Sequence, residues 1–273
     1  MCHRYRILGA HLWVRNRFSQ QVKVPPDKLA ACKQKLRGAL FNPYFTLKEL
    51  QSLLGFLNFL CRAIRPGRPF LQRLVALTRG LDTHSSGKQA IVLNKGAKSD
   101  IRTWLSFLDH FNGAALIITS QWNDANTRVL VSDSSKLGFG IFFQNHWVNA
   151  RWDEVGVATS NSMAYLELYP IVLGVLVWAD QLGNSKVRFD CDNLAVVNIL
   201  NKQSSKCPKI MKLVRKLVLV CLQKNIIFRS FYIRSASNVT GDSLSRFQMH
   251  RFFQAQPAAD RAPTQYKQFL PLG

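Results

Sequence analysis

The chain of 273 residues is long enough for two modest domains. It carries 37 Lys and Arg residues against 15 Asp and Glu residues, a formal net charge of +22. So large an excess indicates a polyanionic partner such as nucleic acid, without indicating an activity. The six Cys residues form no C-x-x-C pair, which argues against a zinc site and a disulfide framework. The N-terminus lacks the apolar core of a signal peptide, and the longest apolar stretch, 166–179, is too short to span a bilayer. We therefore expect no membrane partner, and reduced thiols in an intracellular protein, cytoplasmic or nuclear.

The N-terminal part is predicted to be mostly helical. Residues 5–24 alternate loosely and turn near Arg15 and Asn16, which indicates a β-hairpin. Two Pro residues introduce a helix over 26–38, and Thr46 with Glu49 forms a capping box for an apolar helix over 47–63. After a break rich in Pro and Arg, a further helix is expected over 70–78. The polar stretch 80–89 is the expected linker, and a helix over 98–111 is expected to bridge to the next part of the chain.

A buried strand over 128–132, ending at Asp133, opens the second part of the chain. Strands over 139–143 and 146–152 follow at hairpin spacing, which predicts a three-stranded antiparallel meander. The pattern then changes to helical spacing over 160–181, with Ser160 and Asn161 as candidate N-caps. Glu167 lies in the first turns of this helix among apolar residues, where a carboxylate is costly unless a cation or a hydrogen-bond donor meets it.

Two more acids lie at the junctions of the remaining elements. A strand over 186–191 ends at Asp192 and passes through Asn193 into a helix over 194–200. The carboxyl ends of strands are where open α/β sheets place their ligands. A basic amphipathic helix over 209–224 and a strand over 226–232 come next, and Asp242 lies at the start of the last helix. The element order is β-β-β-α-β-α-α-β-α.

Each acid also has a purely structural explanation. Asp133 suits the start of a turn, Asp192 suits a helix cap, and Asp242 complements a helix dipole from the first turn. Glu167 is the hardest to explain in this way, because its neighbours in the sequence are apolar. The argument for a shared site therefore depends on all four acids in this order.

These residues resemble a known family. Residues 126–247 resemble a retroelement ribonuclease H domain. SDSSKLGFG is similar to the strand of its first Asp, LELYPIVLGV to its Glu helix, FDCDNLAVV to its second Asp strand and NVTGDSLSRF to its closing segment. Residues 1–85 are similar to the thumb and connection of gypsy-like and especially DIRS-like reverse transcriptases. Residues 86–125 would be the linker and bridging helix, and the tail 248–273 also looks DIRS-like. Four ordered motifs are a specific signal, whereas any one alone would be weak.

The resemblance implies a fold, an activity and a set of metal ligands. The fold would be α/β: a mixed five-stranded sheet of three antiparallel and two parallel strands, flanked by helices and preceded by a smaller, mostly helical thumb-like domain. The activity would be Mg²⁺-dependent endonucleolytic hydrolysis of the RNA strand of RNA:DNA hybrids. Its metal ligands would be Asp133, Glu167, Asp192 and Asp242. Because the chain has no Tyr-x-Asp-Asp type palm motif, it looks like the C-terminal part of a longer polyprotein. We expect no polymerase activity, and the missing palm is a further expected partner.

The chemistry of the four acids fits this activity independently. Hydrolysis of a phosphodiester needs an activated water and compensation for charge on the phosphoryl group, which two Mg²⁺ ions about 4 Å apart can supply. Mg²⁺, or Mn²⁺ as a substitute, prefers carboxylate oxygens to His and Cys. Carboxylates packed together raise one another's pKa, and bound cations relieve this. We therefore expect the metal-free protein to be less stable than the metal-bound one.

Substrate contacts are expected on the basic helix. Lys209, Lys212 and Lys216 are spaced to share one helix face, and we expect them to contact phosphates, with a solvated face as the alternative. Asn193 would hydrogen-bond a ribose or only cap its helix. Tyr232 stands where the retroelement pattern has a His, which could relay protons near neutral pH. A Tyr with a pKa near ~10 would not replace it well, so we expect slowed rather than abolished cleavage. Lys136 is a second departure, at a position where the family commonly has a small residue.

The alternative function is a non-catalytic nucleic-acid-binding remnant of a mobile element. The missing palm and the altered His position favour it, whereas the intact set of four acids favours the nuclease.

Overall fold

The computed structural model describes residues 3–7, 10–15, 19–61, 64–81, 90–110, 114–116, 122 and 127–272. The chain forms two compact units, Met1–Ser120 and Gln121–Gly273. Among the described residues, no helix is both long enough and apolar enough to cross a membrane.

The first unit combines helices with a four-stranded antiparallel sheet. In chain order its elements are β1 (His3–Ile7), β2 (Ala10–Arg15), β3 (Ser19–Lys23), α1 (Pro26–Phe41), β4 (Tyr44–Phe45), α2 (Leu47–Leu60), α3 (Gln72–Ala76), β5 (Ile91–Val92), α4 (Lys95–His110) and β6 (Ala114–Leu116). The sheet order is β1-β2-β3-β6. The predicted hairpin over 5–24 corresponds to β2 and β3. The sequence analysis missed β1, which pairs with β2, and β6, which joins β3 from a distant part of the chain that local alternation does not reveal.

The helices of this unit begin close to where the sequence predicts. Thr46 and Glu49 form the predicted capping box of α2, with the Glu49 carboxylate accepting from the Thr46 backbone N–H at 2.8 Å. α2 ends at Leu60, and the predicted end at residue 63 lies outside the described residues. The predicted turn residue Asn16 and most of the predicted linker, 82–89, also lie outside them. The predicted helix over 70–78 is the shorter α3, preceded by a 3-10 helix, Arg65–Phe70.

The second unit is built on a mixed five-stranded sheet. Its elements are β7 (Thr127–Ser134), β8 (Gly138–Phe143), β9 (His146–Arg151), α5 (Met163–Val177), α6 (Ala179–Leu182), β10 (Lys186–Cys191), α7 (Leu194–Lys202), α8 (Pro208–Gln223), β11 (Ile227–Tyr232), α9 (Val239–Ser245) and α10 (Met249–Ala255). The strand order is β11-β10-β7-β8-β9. β7, β8 and β9 are antiparallel, and β10 is parallel to both β7 and β11. The predicted α/β fold class is confirmed.

Helix α5 is buried on all sides. It packs against β7 and β8 on the sheet and against α8, and every residue from 165 to 175 is buried. A helix in this position is expected to be apolar all round, and Glu167 is its one charged residue. At Gly174 an added Cβ would lie 2.9 Å from the Ile141 side chain, so the small residue permits the close approach of α5 to the sheet.

Three boundaries in this unit differ from the predictions. β7 continues through Asp133, because its pairing with β8 extends to the end of the strand, so this acid lies in the strand and not after it. The N-cap of α5 is Ser162, not Ser160 or Asn161. The Asn161 side-chain amide instead donates to a backbone carbonyl of the preceding turn at 2.8 Å. The helix predicted over 160–181 is interrupted at Trp178, between α5 and α6.

The C-terminal residues are part of the second unit's core. Phe252 of α10 is fully buried and packs with Phe142 and Trp147 of the sheet. The Asp260 backbone carbonyl accepts from the Trp147 indole N–H at 2.7 Å, and the Asp260 carboxylate pairs with His146 Nδ1 at 2.6 Å. These contacts fix the position of α10 relative to the sheet.

Candidate functional site

The first predicted acid, Asp133, lies at the carboxyl end of β7, the central strand of the sheet. Its side chain is buried, and its Oδ2 accepts a hydrogen bond from Ser245 Oγ at 2.5 Å. The pKa of Asp133 is raised from 3.8 to about 6, chiefly by burial. The charges of Asp192 and Asp242 contribute to the rise, and the hydrogen bond from Ser245 opposes it. A cation placed nearby would favour the charged carboxylate.

A proline inside α5 ties this helix to β7. Pro170 has no N–H, so the Leu166 carbonyl lacks its usual helical donor four residues later. Ser134 Oγ donates to that carbonyl at 2.9 Å. Ser134 directly follows Asp133, and Leu166 directly precedes Glu167. This one bond therefore holds the strand end that carries the first acid against the helical turn that carries the second.

Glu167 is the most deeply buried of the four predicted acids. Glu167 is only 3% exposed, and its Oε2 has no hydrogen-bond partner among the described residues. Burial raises the pKa of Glu167 from 4.5 to about 9, and the charges of Asp133 and Asp192 add to the rise. A buried polar atom without a partner costs about 1–3 kcal/mol. The position is therefore unfavourable for stability in the metal-free protein.

Asp192 follows β10 at the same edge of the sheet. The parallel register pairs Asp190 with Val131, so two residues later Asp192 comes level with Asp133. Its Oδ2 accepts a hydrogen bond from Ser235 Oγ at 2.7 Å. The two residues lie at the same edge because parallel strands end on the same side of a sheet, and the Asp192 charge acts on Asp133 there.

Asp242 lies in the first turn of α9 and is bound by two arginines. Its Oδ1 accepts from Arg246 Nε at 2.6 Å, and its Oδ2 accepts from Arg251 Nη1. Burial alone would raise the pKa of Asp242, but the two arginines outweigh it and the pKa is lowered. The helix packs closely on β8 at Gly140, where an added Cβ would lie 2.2 Å from Leu244 Cβ.

The elements that carry the four acids meet at this edge. Oxygens of Glu167 and Asp192 lie within 4.8 Å of each other and of a third group, the Cys191 sulfur. α9 packs against β7 near Asp133, since a Cβ added at Gly241 would lie 2.9 Å from Asp133 Cβ. The arrangement draws carboxylates from β7, α5, the end of β10 and α9 toward one place.

The oxygen ligands of the site fit a divalent cation. Asp133, Glu167 and Asp192 offer the hard oxygen ligands that Mg²⁺ prefers, and such an ion would satisfy the unpaired Glu167 oxygen. Both oxygens of Asp242 already accept from an arginine, so a cation binding there would compete with a bound guanidinium group. Sulfur is not a ligand that Mg²⁺ prefers.

The predicted phosphate-binding lysines lie on α8. Lys209 and Lys212 are exposed and Lys216 is half-buried. Lys209 Nζ donates to Asn161 Oδ1 at 3.1 Å, and Lys216 Nζ donates to the Pro271 carbonyl at 3.3 Å. Lys209 and Lys216 would therefore have to exchange internal acceptors for phosphates.

Three further residues of the sequence analysis have defined positions. Asn193 caps α7, its Oδ1 accepting from the backbone N–H groups of residues 195 and 196 at 3.0 and 3.3 Å. Of its two predicted roles, capping is the one observed. Tyr232 ends β11, is exposed, and lies level with Cys191 in the parallel register. Lys136 is exposed in the turn between β7 and β8.

Several residues of the site were missed by the sequence analysis. Ser134, Ser135 and Ser245 are all buried, and Ser135 Oγ donates to the Ser245 carbonyl at 2.7 Å. The available signal was two Ser residues at the end of an apolar strand, since buried hydroxyls must find acceptors. Arg251 lies beyond the recognised motifs, and Cys191 matched no metal-ligand spacing.

No protein-family model and no curated protein matches the chain. Among solved structures it is similar to the N-terminal RNase H domain of a Mycobacterium tuberculosis protein, at 14% identity and TM-score 0.33, over 44% of this chain and 97% of that chain. It is similar to RNase H1 of Halobacterium salinarum at 9% identity and TM-score 0.35, over 45% and 96% of the two chains. It is also similar to the foamy viral protease-reverse transcriptase in complex with double-stranded DNA, at 15% identity and TM-score 0.28, over 84% of this chain and 38% of that chain. Because these TM-scores are low, the fold class is assigned from the strand order and the flanking helices described above.

Proposed function

We propose that the second unit is a ribonuclease that hydrolyses the RNA strand of RNA:DNA hybrids with divalent metal ions. The observation that carries the proposal is the buried, unpaired carboxyl of Glu167, which lies beside Asp192 where parallel strands end. Such a group is costly unless a cation meets it. Asp133 and Asp242 complete the proposed set of ligands, for which Mg²⁺ is the expected ion and Mn²⁺ a substitute.

The chain's own residues position the carboxylates. When bound, the metal ions would supply an activated water and compensate the charge on the phosphoryl group. Ser245 donates to one oxygen of Asp133, and Ser235 donates to one oxygen of Asp192. The second oxygen of each carboxylate can bind a cation. These hydroxyl groups fix the ligands before substrate arrives, which reduces the reorganisation that binding requires.

The nucleic acid is proposed to lie along the basic face of α8. The net charge of +22 supports a polyanionic substrate, and Lys209, Lys212 and Lys216 are the proposed phosphate contacts, with Asn193 as a contact to ribose. For three phosphate contacts, the logarithm of the binding constant should fall with the logarithm of the salt concentration with a slope of about −3. Replacing all three lysines by Ala should remove most of this slope.

The proposal extends to the origin of the chain. Residues 1–85 would act as the thumb and connection of a DIRS-like or gypsy-like reverse transcriptase, with its polymerase palm as a further partner. Residues 86–125 would be the linker and bridging helix, and residues 126–247, followed by the tail 248–273, would be its ribonuclease H. The protein would work in the cytoplasm or nucleus, without polymerase activity of its own.

A second candidate function is a non-catalytic nucleic-acid-binding remnant of a mobile element. Two observations favour it. Arg246 and Arg251 occupy both oxygens of Asp242, and Tyr232 stands at the position of the family's His, where it cannot relay protons well near neutral pH.

The test is cleavage of a labelled RNA:DNA hybrid by the purified protein with Mg²⁺, with an EDTA control. Asp133→Asn should abolish cleavage, because it removes a proposed carboxylate ligand while leaving the shape of the side chain nearly unchanged. Asp180→Asn is the matched control, since Asp180 is an exposed residue whose carboxylate pairs with Lys224 on the surface. Cutting of the RNA strand that requires both Mg²⁺ and Asp133 would support the nuclease. Folded protein that binds the hybrid in a salt-dependent way without cutting it would favour the remnant.

A further inference from the structure

Cys191 is the last residue of β10 and is fully buried. Its sulfur lies within 4.8 Å of carboxylate oxygens of Glu167 and Asp192. A buried Cys alone is ordinary in a protein core. Here a second observation accompanies it, because Glu167 is 3% exposed and its Oε2 has no hydrogen-bond partner among the described residues. The Cys191 thiol donates to the Asn193 carbonyl oxygen at 3.8 Å, so it is the unpaired Glu167 oxygen that points to a missing positive ligand at this place.

The three ligand atoms differ from what Mg²⁺ requires. A set of two carboxylate oxygens and one sulfur, with a fourth position left for water, matches the four-coordinate sites of Zn²⁺. Mg²⁺ prefers oxygen alone, whereas sulfur ligands select thiophilic ions. The Asn193 backbone N–H also donates to the Cys191 sulfur at 3.4 Å. That donor would stabilise a metal-bound thiolate, as outer hydrogen bonds to metal ligands commonly do.

We propose that Glu167, Cys191 and Asp192 form a three-ligand site for a thiophilic divalent ion such as Zn²⁺, which thereby takes two carboxylates away from Mg²⁺. On binding, a sulfur–metal bond forms, the thiol proton leaves to solvent, and any proton on Glu167 leaves as well. No atom is oxidised or reduced. The positive ion offsets both the burial of Cys191 and the repulsion from the neighbouring carboxylates, which otherwise disfavour a thiolate.

The binding of this ion does not depend on the proposed ribonuclease activity. Only its consequence, inhibition of Mg²⁺-dependent cleavage, rests on that function. No sequence motif indicates the site, because its ligands come from two elements and follow no metal-motif spacing.

The test is titration of the full-length, metal-free protein with Co²⁺, which replaces Zn²⁺ in such sites and gives a sulfur-to-cobalt absorption band. The wild-type protein should show this band, and Zn²⁺ should remove it by displacement. Cys191→Ser should lose the band while keeping the side-chain shape. Cys221→Ser is the matched control, since Cys221 is equally buried in α8 and is outside the trio, and it should leave the band unchanged.

A second variant tests the site independently of whether Cys191→Ser folds. Glu167→Gln keeps the thiol and should weaken Co²⁺ binding at least about tenfold, the loss that even an outer partner of a metal ligand can cause. A band that persists in Cys191→Ser, or a wild-type protein without one, would overturn the proposal. In the cleavage assay, one equivalent of Zn²⁺ should inhibit the wild type more than Cys191→Ser. If the protein cleaves nothing, the ribonuclease proposal fails, while the cobalt spectrum still decides the metal site.

Discussion

Replacing Glu167 by Gln should stabilise the metal-free protein, and more strongly as the pH rises. The amide resembles the protonated carboxyl in shape and cannot ionise. The pKa of Glu167 is about 9 in the folded protein against 4.5 for an ordinary Glu, so the folded state keeps a proton that the unfolded chain releases. Between these two values the folded state binds more protons, and the free energy of unfolding therefore falls as the pH rises.

The size of the effect follows from the two pKa values. At about 1.4 kcal/mol per pH unit, keeping a Glu of ordinary pKa 4.5 protonated at pH 7 costs about 3 kcal/mol. At pH 5 the same cost is below about 1 kcal/mol. The Gln variant avoids this cost, so its advantage over the wild type should grow by about 2–3 kcal/mol between pH 5 and pH 7.

The measurement is urea unfolding followed by tryptophan fluorescence, in EDTA, at pH 5 and pH 7. Glu154→Gln is the control, because Glu154 is exposed. The change in unfolding free energy that this replacement causes should not grow between pH 5 and pH 7. A stability gain at pH 7 no larger than the gain at pH 5 would refute the reasoning. Adding Mg²⁺ should narrow the difference, because the ion would bind the folded wild type preferentially.

Three further replacements probe the neighbours of the acids. Ser245→Ala removes the donor to Asp133 and should raise the pKa of that carboxyl, measured by NMR titration of its carboxyl carbon, and lower stability by about 1–3 kcal/mol. Gly140→Ala places a Cβ 2.2 Å from a side-chain carbon of α9 and should lower stability by about 1–3 kcal/mol in thermal melts. Arg251→Gln weakens the hold on Asp242 and should tighten Mn²⁺ binding about tenfold, measured by electron paramagnetic resonance.

Each of these replacements has a matched control. Ser243→Ala removes an equally buried hydroxyl that bonds only a carbonyl of its own helix, and the Asp133 pKa should not move. Gly55→Ala adds a Cβ in open space on α2 and should stabilise by about 0.5–1 kcal/mol. Arg261→Gln removes one charge from the same tail, where Arg261 stacks on Phe253, and Mn²⁺ affinity should not change. A control variant that shows the same change in pKa, stability or Mn²⁺ affinity as its test variant would contradict the corresponding explanation.

The second unit's architecture could be predicted because its signals are local. Alternating or continuous apolar runs mark each strand, and Asp133 and Asp192 interrupt such runs at strand ends. The first unit's sheet was only partly predictable, since β6 pairs across a long separation in sequence. Pairing of that kind depends on tertiary packing, which short-range periodicity does not contain.

The hydrogen-bond network of the site was not predictable from the sequence. The bond from Ser134 to the Leu166 carbonyl joins residues on two elements, and Arg251 reaches Asp242 only because Phe252 fixes α10 on the sheet. The sequence identified which residues were chemically suitable. It did not show which oxygens were already bound, and that decides how readily a cation enters.

Pro170 makes the second helix of the site depend on the first strand. In an isolated α5 the Leu166 carbonyl would have no donor, and in the protein that donor is Ser134 on β7. If the strand separated, this carbonyl would lose its partner inside an apolar layer, at a cost of about 1–3 kcal/mol. Local opening of the helix alone is therefore penalised, and so is local opening of the strand. Asp133 and Glu167 should consequently show matched hydrogen-exchange protection in their flanking backbone amides, because the two carboxylates assemble and separate as one cooperative unit.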